Sequence, residues 1–105
     1  MNWQRAIRGK FTIAKDCKGV PPGGLGQRAH RVLIVLSEEG RWITSFEFFG
    51  EGNMMAGETR EAQFIPITDA MIDKIPAGMK ELPIYAGNSF VGTLEVSEIV
   101  TNPEA

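Results

Sequence analysis

Glycine and proline interrupt this chain too often for long helices. Twelve glycines and six prolines stand among its 105 residues. They fall at short intervals, from Pro21-Pro22-Gly23-Gly24 through Gly50, Gly52 and Gly57 to Pro66, Pro76, Gly78, Pro83, Gly87 and Gly92. Inside a helix, glycine costs about 1 kcal/mol and proline about 3 kcal/mol relative to alanine. Between short strands the same residues supply turns. A hydrophobic fraction of 43% beside 23% charged residues belongs to a folded chain rather than a disordered one. The length suits one domain, residues 1–105, around one modest core. The expected fold is therefore mainly β: a small antiparallel barrel or sandwich of five to six strands with one short helix.

The apolar pattern places the strands. Arg31-Val-Leu-Ile-Val-Leu-Ser37 is a continuous run rich in β-branched residues. Glu38-Glu39-Gly40 turns it, and Trp42 to Phe49 returns with Trp42, Thr44, Phe46 and Phe48 on one face, so the two segments read as a hairpin. Lys10 to Ala14 is a short strand with Phe11 and Ile13 on one face, and Glu61 to Ile67 another, confined by Pro66 to an edge or a strand end. Thr68 or Asp69 can cap a helix running from Asp69 to Ile75. Lys80 to Tyr85 is weakened as a strand by Pro83, and Phe90 to Val100 alternates with Phe90, Leu94, Val96 and Val100 together and Gly92 at a bend or bulge. The expected core is Leu33 or Ile34, Phe46, Phe64, Leu94 and Val96.

Three stretches, in order along the chain, resemble the third domain of elongation factor Tu. They are Val35-Leu36 followed by Glu38-Glu39-Gly40-Arg41 and Thr44-Ser45-Phe46, then Arg60 with Gln63-Phe64, then Ile84 to Ile99 with Gly87, Val91, Gly92, Val96, Glu98 and Ile99. The resemblance implies a β-barrel of the kind that family uses to dock tRNA and protein partners. It carries over no GTPase function and no site residue.

Charge divides unevenly. Residues 1–31 hold seven basic residues against Asp16 alone, a balance of +6, whereas residues 32–105 hold four basic and twelve acidic residues, a balance of −8. Such a division points either to an anionic partner at the basic end or to mutual neutralisation when the parts pack together. On the first reading Lys18, Arg28, His30 and Arg31, around the Gly/Pro loop, form an anion- or nucleic-acid-binding set. Arg28 and Arg31 matter most there, because the other basic residues lie nearer a terminus expected to fray. A second candidate surface is the loop containing Asn53, Met54, Met55 and Arg60, where methionines among glycines suit an adaptable protein-binding surface; alternatively one methionine plugs the end of the barrel. Trp42, Phe46, Phe48 and Phe90 are either a stacking platform for bases or core.

Most enzyme chemistry finds no footing. Gly24-Leu25-Gly26-Gln27-Arg28-Ala29 fits the outline of a dinucleotide turn, but that turn needs a strand before it and a helix starting on it. Here Pro21-Pro22 precede the glycines and the strand at Arg31 follows almost at once. Cys17 is the single cysteine and His30 the single histidine, so an internal disulfide and a structural cysteine zinc site are excluded. A Cys17 nucleophile with His30 as base remains the enzymatic alternative. No cofactor or metal is expected. The N-terminus lacks an apolar leader and no apolar run approaches the length of a membrane span, so a cytoplasmic location without membrane contact is expected. The functional expectation is a non-enzymatic binding module for a macromolecule, nucleic acid or protein, acting alone or as a homo-oligomer. Its alternative is a protein-binding adaptor or inhibitor using the acidic strands and the Met loop.

Overall fold

The computed structural model describes residues 3–16, 20, 23–26, 30–36 and 40–103, the side chains of His30 and Arg31 excepted. Its six strands are β1 (Arg5–Ile13), β2 (His30–Val35), β3 (Arg41–Phe48), β4 (Thr59–Pro66), β5 (Glu81–Ala86) and β6 (Ser89–Thr101). They close an antiparallel barrel in the order β1-β4-β3-β2-β5-β6. A short 3-10 helix, Asp69–Lys74, follows β4. Thr68 precedes it as N-cap without a capping side-chain bond, and Met71 and Ile72 are buried. Among the described residues no helix is long and apolar enough to cross a membrane.

The hairpin expected from sequence is β2–β3, in register from His30↔Phe46 to Val35↔Arg41. Its turn at Glu38-Glu39 lies outside the described residues. Inward positions of β3 are Thr44, Phe46 and Phe48. The Phe46 and Phe64 rings stack 4.8 Å apart, and Phe11 meets both edge-on. A six-stranded barrel is narrow enough for such side chains to fill it. Ile7, Phe11, Ile34, Leu82, Ile84 and Leu94 are fully buried around these rings.

Three expectations are corrected. β1 starts at Arg5, not Lys10, so Arg5, Arg8 and Lys10 are held in a strand between β4 and β6 rather than fraying. Phe90 does not share the inner face of Leu94. The β5–β6 register shifts between Ile84 and Tyr85, so Val91 turns inward and Phe90 outward, 41% exposed; an extra residue in one strand reverses the alternation beyond it. Val96 is only partly buried, packed against the core from its margin.

Candidate interaction surfaces

Lys10 and Arg8 both face acidic neighbours. Lys10 stands opposite Glu95 on β6 and Glu61 on β4. Arg8 stands opposite Glu98 and donates from Nη2 to Gln63 Oε1 at 2.7 Å. Arg5 is bound more tightly still. Its Nε and Nη2 donate to the Asp69 carboxylate, with Nη2 2.8 Å from Oδ2, while Nη1 and Nη2 each reach Asp73 at 3.0 Å. The bonds to Asp73 and then Asp69 hold the guanidinium even more firmly in its charged form, and Arg5 in turn holds the Asp73 carboxyl below its ordinary range. Of the β1 cations, Arg5 is thus ion-paired, Arg8 bonds an amide, and Lys10 is exposed with Glu61 and Glu95 opposite it in register.

The other proposed basic residues cannot be judged in the same way. Lys18 and Arg28 lie outside the described residues. His30 and Arg31 open β2, with their side chains outside the description. The chain does enter β2 directly at His30, leaving no room for the helix that a dinucleotide turn requires.

The Met loop divides its labour. Met54 pairs with Leu25 through backbone bonds of 2.8 and 2.9 Å and is fully buried, so it plugs the end of the barrel. Met55 stays 45% exposed. Asn53 donates from Nδ2 to the Gly23 carbonyl at 3.0 Å. Arg60 gathers the loop: it donates to the carbonyls of Gly52 (2.9 Å) and Asn53 (3.1 Å) and to Glu58, and lies over the Phe48 ring. The Arg60 bond, followed by one from the Met55 N–H, lowers the Glu58 carboxyl below its ordinary range. Asn53 and Arg60 shape the loop, and Asn53 and Met55 are the exposed members of the set. Of the four aromatics, Phe46 and Phe48 are interior and unavailable for stacking, Trp42 is half-buried, and Phe90 is exposed.

Sequence reasoning missed a different surface. Outward positions at one level of successive strands are Ile67 beside Ile43, Ile43 opposite Leu33, Leu33 opposite Tyr85, and Tyr85 opposite Phe90. Ile43 is 48% and Ile67 62% exposed, and the Tyr85 and Phe90 rings meet edge-on at 5.5 Å. This apolar row curves round the barrel, so one flat partner covers only part of it. β2, β3, β5 and β6 contribute one such residue each and Ile67 follows β4, which is why no single segment of the sequence announces the row.

At one end of the row a cleft of about 370 Å³ opens among Trp3, Gln4, Ser45, Ile65, Pro66, Ile67 and Asp69. Its cause lies in the ladders. β1 stays paired to β6 as far as Arg5↔Thr101, and β4 to β3 as far as Thr44↔Pro66, yet the β1–β4 ladder stops at Ile7↔Phe64. Continued, it would set Arg5 opposite Pro66. Proline has no N–H to donate there, and the two strands part. Sequence placed Pro66 at an edge or a strand end, and it ends β4; that it also opens a seam depends on which strand lies alongside.

Among the described residues no group of three or more His, Cys, Asp or Glu side chains could hold a metal ion. Comparison with protein-family models, with curated proteins and with solved structures finds no match.

Proposed function

We propose that this β-barrel is a non-enzymatic binding module whose partner is a protein. The observation that carries the reading is the apolar row Ile67–Ile43–Leu33–Tyr85–Phe90, in which Ile67, Ile43 and Phe90 are each more than two-fifths exposed. Exposed apolar side chains that adjoin one another mark interaction surfaces far more than the same residues scattered singly. The ion pairing of Arg5 with Asp69 and Asp73 supports the same choice, because it engages one cation of the basic segment that a phosphate backbone would need. The nucleic-acid reading then rests on Lys18, Arg28, His30 and Arg31.

A benzophenone side chain placed at Ile43 or at Phe90 and irradiated in the host cells tests this. A discrete protein adduct from these positions, absent when the probe stands at Glu95 on the charged side of the barrel, is the expected result. Adducts sensitive to nuclease, or none from either apolar position, would overturn it.

A further inference from the structure

We propose that the cleft opened by Pro66 binds an extended peptide segment of the protein partner, one in which an apolar side chain stands next to a lysine or arginine. The inference rests on the protein-binding reading and names the kind of segment one part of that surface would take.

Three features select this occupant. The walls formed by Trp3, Ile65 and Ile67 are partly or largely exposed apolar surface, and the volume suits one or two side chains rather than a folded domain. The interrupted ladder leaves backbone groups at the mouth. Ile13 donates to the Glu58 carbonyl and accepts from Gly57, so alternate β1 residues Phe11, Gly9, Ile7 and Arg5 aim their backbone groups at β4. The Arg5 N–H and carbonyl therefore both point into the opening, the carbonyl without the ladder donor that Pro66 cannot supply, and the Pro66 carbonyl faces them from β4. Such groups at the end of an interrupted ladder are what the backbone of an added extended segment pairs with, and pockets for its side chains then give specificity.

Charge supplies the third feature. Asp69 is the charged residue among the described lining of the cleft, and Arg5, which pairs with it, is shared with Asp73, so the three together carry a net charge of −1 beside the wall. Asp69 is fixed by Arg5 rather than free to swing, which presents its carboxylate in a constant place at the rim. A cation next to the apolar anchor complements this wall, and an acidic residue in the same place is rejected by it.

The test is a titration of the full chain, followed by amide and indole chemical shifts, with the acetylated and amidated hexapeptide Ser-Ser-Leu-Lys-Ser-Ser. Two control peptides replace its leucine by alanine or its lysine by glutamate. Short peptides on such a site bind at about 1 mM, so each is carried to about 5 mM. Shifts should centre on Trp3, Gln4, Ser45, Ile65, Ile67 and Asp69, and each control should bind about tenfold more weakly. Ile67→Ser should also weaken the parent peptide about tenfold while Ile67→Leu retains it. Both variants should melt with the parent protein, because Ile67 is 62% exposed.

No shift at the highest concentration, equal affinity for the glutamate peptide, or shifts centred on Met55 or Phe90 would overturn the assignment. If the peptides are silent while cross-links from Ile43 or Phe90 still reach a protein, the cleft falls and the protein-binding reading stands. If both are silent, both fall.

Discussion

The hydroxyl of Thr44 is out of place in the wall it occupies. Thr44 is fully buried beside Phe46 on the inner face of β3, and its Oγ1 has no hydrogen-bond partner among the described residues. A buried hydroxyl left unpaired costs roughly 1–3 kcal/mol. Thr44→Val keeps the shape and removes that cost, so it should stabilise the protein by about 1 kcal/mol in urea denaturation; a loss of stability would show that the hydroxyl is satisfied. Gly92 presents the opposite case. A Cβ there would stand 2.0 Å from the Thr12 carbonyl oxygen, and one at Gly9 would stand 2.0 Å from that of Glu95. Both obstacles are backbone in the β1–β6 seam, so nothing flexible can yield. Gly92→Ala should therefore cost at least about 1–3 kcal/mol, and an unchanged denaturation midpoint would mean that the strands are not so close. Neither requirement can be read locally, because each is set by the strand lying across the seam.

Strands announced themselves where apolar alternation was unbroken. The β2–β3 hairpin follows from Val32 to Val35 and from Thr44, Phe46 and Phe48, and the structure pairs them as that pattern requires. β1 was underread because its first half carries Arg5, Arg8 and Gly9, which show no apolar period, although Ala6 and Ile7 are fully buried. Its inner face is completed by closure against β4 and β6, a long-range event. The bulge that turns Phe90 outward was signalled only by the glycine that follows Val91. Of the candidate site, the buried role of Met54 was visible as one of two alternatives, whereas the apolar row and the Pro66 cleft emerge only once strand order is known. The start of β1 is tied to the 3-10 helix through Arg5, Asp69 and Asp73, and this link has a pH signature. Asp73 has a lowered carboxyl pKa because Arg5 bonds its charged form. A lowered folded-state value gives stability that is present above the ordinary carboxylate range and is lost as pH falls through the lowered value. Asp73→Asn should therefore be less stable than the parent at pH 6–7, and the difference should shrink as pH falls below the ordinary carboxylate range of about 4. Denaturation midpoints across that range check it; a constant difference would mean that the ion pair is not its source.

For the molecule entire, barrel closure sets part of the basic segment beside acidic strands. β1, with Arg5, Arg8 and Lys10, lies between β4 and β6, whose outward rows supply Glu61, Glu95 and Glu98, and Arg5 is ion-paired to Asp69 and Asp73. The set that the sequence offers an anionic macromolecule is Lys18, Arg28, His30 and Arg31, on a protein of net charge −2. Each phosphate neutralised on a single strand releases counterions with a log–log salt slope of about −0.7, so four contacts would give a slope of roughly −2 to −3. The protein-binding reading expects no such binding: a fluorescent single-stranded oligonucleotide should show no anisotropy change with the parent protein at about 50 mM salt, where phosphate contacts are strongest. Arg28→Ala combined with Arg31→Ala should then change nothing in that assay and leave thermal unfolding unaltered. Binding by the parent that weakens steeply with salt, with a slope flattened by about 1–1.5 in the double variant, would instead place the partner-binding face at the loop entering β2. In that case the apolar row would have to be explained as a contact made by something other than the principal partner.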